Sequence, residues 1–229
     1  MPYALLLVLA GAPALWCAAV LAAGAVRYWR DIHGPLADLA RPRSWAAALV
    51  QAARLRHMRG GDAGCDYPGD APSPARRRFH QTLVYGFGLC LVSTAAAAVE
   101  QDLLGISPPY AYRSVPVAAG TLGGVGMIVG GAGLLALKAR SDPARGTQGM
   151  RAADYALTAA LLTLAATGLL TLAVRDTAAF GPVLVAHLAA IMVAFAVAPY
   201  TKFAHWLYRL LAIYKHNLDA RGRGRSSHG

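Results

Sequence analysis

Of the seven histidines in the chain, three stand where an imidazole has chemical consequences. His80, His187 and His205 fall inside or at the edge of long apolar stretches. His33, His57, His216 and His228 fall in polar connections or the tail and read as surface residues. An ionisable side chain in an apolar stretch of membrane length is rare and generally functional. Neutral imidazole is a good iron ligand. Two imidazoles at one depth, from two different helices, are what a bis-histidine heme b needs.

His80 opens one apolar stretch and His205 closes another, so the two are expected at one membrane face. Arg76, Arg77, Arg78 and Lys202 cluster at the same level. Guanidinium and ammonium groups there would suit the anionic propionates of a heme. They would equally suit ordinary anchoring at the inner face, and spacing leaves both readings open. His187 precedes His205 by 18 residues. That is five turns at about 3.6 residues per turn, hence one helix face and roughly 27 Å of rise. A second heme at that depth would need another ligand. Cys90 lies ten residues beyond His80, on a different face and nearer mid-membrane. His187 is therefore expected to touch a quinone or to hydrogen-bond within the bundle, with a second, unusually ligated heme a weaker alternative.

The elements that must position these groups are membrane helices. Hydrophobic residues make up 56% of the 229 and charged residues 14%, against about 25% charged in an ordinary soluble domain. Five apolar blocks run from about Tyr3 to Val26, His80 to Val99, Val115 to Leu137, Ala153 to Val174 and Gly181 to Tyr208. Each has roughly the 20 residues that a helix needs to cross a bilayer. None alternates with period two, so the expected fold is all-α, an integral bundle of five transmembrane helices. The first block has no preceding basic residue and exceeds a typical signal core, so it reads as a retained helix.

The net charge of +11 is mostly a matter of topology. Ten arginines lie between Arg27 and Arg78, four basic residues between Lys138 and Arg151, and six between Lys202 and Arg225. Only Arg113 and Arg175 fall on the other side. This asymmetry places the N-terminus outside and the C-terminus in the cytoplasm, and it argues against nucleic-acid binding. The three cysteines, Cys17, Cys65 and Cys90, form no CxxC or CxxCH. The chain by itself is therefore expected to hold neither an iron–sulfur cluster nor a covalent c-type heme.

Residues 1–218 are expected to form the membrane domain, and 219–229 a basic, disordered tail. The cytoplasmic connection 27–79 should carry a short helix over Ser44–His57, with Ser44 as N-cap. Trp45, Leu49 and Leu55 on that helix would suit the inner leaflet. Tyr110 and Tyr112 suit the outer interface. Gly120, Gly123, Gly124, Gly126, Gly130, Gly131 and Gly133 favour close helix packing, with a flat cofactor face as the alternative.

Several motifs resemble the membrane domain of the tricarballylate/citrate utilization protein B family. They are Gly60-Gly-Asp-Ala-Gly-Cys-Asp-Tyr-Pro-Gly69, Ala75-Arg-Arg-Arg-Phe-His80, Tyr85-Gly-Phe and Gly120-Thr-Leu-Gly-Gly124. Arg175-Asp-Thr-Ala-Ala179, Pro199-Tyr-Thr-Lys-Phe-Ala-His205 and Arg27-Tyr-Trp-Arg-Asp31 also match. The placement of His80, His187 and His205 more distantly resembles the cytochrome b (gamma) subunit of respiratory nitrate reductase, in which a further histidine stands where this chain has Cys90.

The resemblance implies a bacterial inner-membrane subunit that passes electrons from a reduced flavoprotein dehydrogenase to the quinone pool. Family members usually carry iron–sulfur clusters ahead of the membrane part. This sequence begins just before the first helix, so either a separate cytoplasmic subunit is expected to supply the clusters, or the partner differs. The expected function is thus electron transfer between an iron–sulfur or flavin partner and quinone. Heme b would lie between His80 and His205, the propionates near Arg77, Arg78 and Lys202, and quinone near His187. The alternatives are a heme-free anchor of a partner complex and a small-solute transporter. Five helices without an internal repeat speak against the transporter. So do acidic residues confined to helix ends (Glu100, Asp102, Asp154, Asp176).

Overall fold

The computed structural model describes residues 3–53, 74–140 and 148–226. All regular structure in them is helical. Five helices are long and apolar enough to cross a membrane, over Gly11–Asp31, Pro74–Leu103, Val115–Ala139, Tyr155–Ala173 and Phe180–Tyr200. Large apolar side chains such as Leu15, Leu122 and Val193 stand exposed along them. That suits helices whose outer surfaces meet lipid rather than water.

In chain order the elements are α1 (Tyr3–Asp31), a 3₁₀ turn (Leu36–Ala40), α2 (Pro42–Ala53) and α3 (Pro74–Ala98). A π turn over Val99–Leu103 extends α3. Then follow α4 (Val115–Ala139), α5 (Gln148–Ala173) and α6 (Phe180–Val197). Two 3₁₀ turns, Ala198–Tyr200 and Lys202–Ala204, lead into α7 (His205–Ser226). Proline sets several boundaries, because it fits a first helical turn and breaks a helix interior. Pro42 opens α2, Pro74 opens α3, and Pro116 sits in the first turn of α4.

The chain forms two compact units, residues 62–191 and residues 1–61 with 192–229. In the first, glycine brings α3 and α4 together. A Cβ on Gly86 would stand 2.7 Å from the Gly123 carbonyl oxygen, and one on Gly130 would stand 2.7 Å from that of Phe79. Gly124 and Gly131 receive Leu169 and Leu162 of α5 instead. The glycines of α4 are thus taken up by helix packing, not by a bare cofactor face. Leu83, Met127 and Ala165 fill the core between the three helices. Arg175 fastens the loops at one end. Its Nη1 donates to the Tyr110 carbonyl at 3.0 Å, and its guanidinium lies 4.3 Å from the Tyr112 ring centroid. Tyr110 in turn donates its hydroxyl to the Ala97 carbonyl at 3.0 Å.

The second unit has a core of a different kind. Trp29, Ala48, Leu210, Leu211, Ile213, Tyr214 and Leu218 cluster from α1, α2 and α7. Trp45 stacks on Tyr214 with ring centroids 4.2 Å apart. The indoles donate to backbone, Trp29 to Pro35 and Trp45 to Leu39, while the Tyr214 hydroxyl donates to the Asp38 carbonyl.

Four sequence expectations change. The fifth apolar block is not one helix to Tyr208: α6 ends at Val197, and a new helix starts at His205. Pro199 is the cause, since it can neither donate the helical bond nor tolerate the carbonyl of the preceding turn. Ser44 is not an N-cap; Pro42 already lies inside α2, and Ser44 is buried in its first turn. Trp45 meets Tyr214 rather than lipid, although Leu49 is exposed. Finally, α7 continues to Ser226, into the segment expected to be an irregular tail. Leu55, His57 and Cys65 lie outside the described residues.

Candidate functional site

The predicted site residues fall on both units. His80, Arg77, Arg78 and His187 belong to 62–191, and Lys202 and His205 to the other. α3 carries His80 and α7 carries His205, each within its own unit.

On α3, Pro74 starts the helix and brings Ala75 to His80 inside it, so His80 lies in the second turn rather than at the helix start. Arg77 and His80 are half-buried, and Arg76 and Arg78 are exposed. The Arg77 Nε and His80 Nδ1 atoms are sealed from solvent. Thr82 donates back to the Arg78 carbonyl at 2.9 Å, a back-bond common to hydroxyl side chains in apolar helices.

On the other unit, His205 is the first residue of α7. Its Nδ1 lies 2.8 Å from the Lys202 carbonyl oxygen. A carbonyl only accepts, so Nδ1 must carry a proton, and in the neutral ring the lone pair is then on Nε2. Metal-bound histidines are typically held in this way, with the distal N–H given to a carbonyl that fixes ring and tautomer. Thr201 supports the turn: its hydroxyl donates to the Ala198 carbonyl at 2.9 Å and accepts from the Phe203 N–H at 3.1 Å. His205 itself is exposed. The break at Pro199 therefore does more than tilt the last turns, because it makes His205 a helix-start residue anchored to its own 3₁₀ turn. It also removes the regular spacing by which His187 and His205 were expected to share one helix face.

His187 has a partner that sequence reading missed. Thr167 of α5 places Oγ1 2.9 Å from His187 Nδ1. The next residue, Gly168, lets the ring lie against the α5 backbone, since a Cβ there would come within 3.0 Å of Cε1. The signal was present in the sequence: Thr163, Thr167 and Thr171 recur every fourth residue and so lie along one side of a helix. Cys90, by contrast, lies 3.7 Å from the Met127 sulfur in the α3–α4 contact. Cys90 thus takes part in packing α3 against α4.

Among the described residues, no group of three or more His, Cys, Asp or Glu side chains could hold a bare metal ion. A bis-histidine heme asks less, two imidazoles with Nε2 lone pairs, and the anchoring of His205 fits that donor set.

Comparison with known proteins covers nearly the whole chain. The family model described as Citrate utilization protein B matches residues 1–226. Citrate utilization protein B of Escherichia coli is 38% identical over 229 residues, which is 99% of this chain and 59% of that protein. The chain therefore spans well under two thirds of the curated relative it matches. No solved structure matches it.

Proposed function

The chain belongs to the citrate utilization protein B family, and from that membership we propose that it is the heme b-carrying membrane subunit of a quinone-linked oxidoreductase. The observation that carries this reading is the anchoring of His205, Nδ1 to the Lys202 carbonyl at 2.8 Å, which leaves Nε2 as the ligating nitrogen. His80 would be the second residue to hold the heme. Arg77, Arg78 and Lys202 balance the propionates. Bound heme would supply one-electron carriage, and His187 would meet the quinone.

The basic loops lie on the cytoplasmic side of a bacterial inner membrane. There they receive an acidic iron–sulfur or flavoprotein dehydrogenase, and the family name sets this within citrate utilization. His80 and His205 do the work of holding and orienting, and the apolar helices exclude water from the path.

A reduced-minus-oxidised visible spectrum of the purified chain, with a pyridine hemochrome assay, tests the proposal. One low-spin b-type heme per chain is the expected result. No heme in protein made with ample heme supply would leave a heme-free anchor as the reading.

A further inference from the structure

Thr167 and His187 form an arrangement that the proposed His80–His205 heme does not use. Thr167 Oγ1 stands 2.9 Å from His187 Nδ1, and it also stands 2.8 Å from the Thr163 carbonyl oxygen and 3.1 Å from that of Leu164. A hydroxyl has one proton to give and two lone pairs to accept with. Its proton goes to the carbonyls of its own preceding turn, as threonines in helices commonly arrange it. The oxygen then faces Nδ1 with a lone pair, so Nδ1 must bring the proton. This sets neutral His187 as the Nδ1–H tautomer, with a bare lone pair on Nε2.

The opposite tautomer would point an N–H from Nε2. Among the described residues, His187 makes its hydrogen bond through Nδ1 and Nε2 finds no acceptor. An unpaired N–H in an apolar setting is heavily penalised. Gly168 keeps the ring where it is, because a Cβ there would stand 3.0 Å from Cε1 and 3.4 Å from Nε2.

His187 stands seven residues into α6, roughly 10 Å of rise from its start. A ligand reaches it from the lipid phase, and it must bring a donor to meet the lone pair. An acceptor-only carbonyl has nothing to offer Nε2, whereas a phenolic hydroxyl has.

We propose that Thr167 presets His187 as a hydrogen-bond acceptor, through Nε2, for the hydroxyl of a lipid-soluble hydroquinone. His187 touches the ligand, and Thr167 is a positioning residue that acts through it. The inference rests on the quinone-pool part of the proposed function but not on the His80–His205 heme.

Nitrogen NMR of the full chain, labelled with ¹⁵N-histidine in detergent, tests it. The His187 resonances are identified by their loss in His187→Gln. The expected spectrum has Nδ1 protonated and Nε2 with a lone pair. A short-chain hydroquinone should move the Nε2 signal, while its dimethyl ether, with the same ring and no O–H, should bind about fivefold more weakly. Thr167→Val should shift His187 toward the Nε2–H form and weaken the hydroquinone, and Thr167→Ser should restore both. An Nε2–H tautomer in the unaltered chain would overturn the proposal. So would equal binding of hydroquinone and ether, or an Nε2 signal showing coordination to iron. If Thr167→Val does not fold, the Ser variant and the ether comparison still decide. Absence of heme with these NMR results intact would remove the electron-transfer reading and leave this site standing.

Discussion

His205 gives its Nδ1 proton to the carbonyl oxygen of Lys202, three residues earlier, across 2.8 Å. The acceptor is main chain, so the lysine side chain has no part in the bond. Lys202→Ala should therefore keep the His205 anchor and remove only a propionate partner, so heme should still be incorporated but dissociate faster. His205→Ala and His80→Ala should abolish heme incorporation while membrane insertion persists, and His187→Ala should retain it. Pyridine hemochrome assays on the four variants check the set; normal heme in either axial variant would sink the ligand assignment.

Thr201 holds the turn that carries the Lys202 carbonyl, through one bond given and one received. Thr201→Val keeps the shape and removes both, at a cost of about 1 kcal/mol. The expected outcome is heme that is bound but lost faster on dilution or heating. Unchanged heme dissociation would show that the 3₁₀ turn holds without the hydroxyl.

The α3–α4 contact depends on the absence of side chains. A Cβ at Gly130 would stand 2.5 Å from the Leu83 amide nitrogen, whereas one at Gly88 would meet nothing within 4 Å. Gly130→Leu should destabilise the helix pair by about 1–3 kcal/mol or more, while Gly88→Ala should be tolerated. Thermal melting in detergent discriminates them, and equal melting temperatures would contradict the close packing.

Tyr214 serves two purposes, a stacked ring against Trp45 and a hydroxyl bonded to Asp38. Tyr214→Phe should cost about 1–3 kcal/mol through the orphaned carbonyl. Trp45→Ala should cost about 3–5 kcal/mol through lost burial. Limited proteolysis of the segment around α2 should report both, with Trp45→Ala cut much faster.

Partial burial pushes the Tyr110 phenol up, and the carboxylates of Glu100 and Asp102 add to the shift. An acid with a raised folded-state pKa contributes stability that is complete below its unfolded pKa of about 10 and lost as pH rises further. Stability should thus fall above about pH 10, and Tyr110→Phe should lessen that fall. A pH series of melting temperatures for the two proteins measures it; identical alkaline slopes would refute the assignment.

Much of the membrane architecture was legible because each span must satisfy its own backbone and cover itself with apolar side chains. All five blocks begin or end within a few residues of a helix that the structure contains, and the fifth runs on into a second helix. The fifth misled because Phe203, Ala204, Trp206 and Leu207 prolong the apolar run past Pro199. Leu210, Leu211 and Ile213 face Trp29 and Tyr214 in a protein core, and hydropathy does not distinguish a lipid partner from an aromatic one. The histidines were visible by type and depth, but their hydrogen-bond partners were not. Lys202 contributes a carbonyl, which every residue has, and Thr167 is 20 residues from His187.

By itself, then, the sequence determined the class of the protein: apolar length required membrane helices, charge asymmetry favoured one orientation, and seven motifs pointed to one family. Tertiary structure alone decided which small residues pack and which partner each histidine takes. Depth and composition follow from local residue types. A tautomer, a glycine contact or a stacked ring depends on atoms brought together from distant parts of the chain.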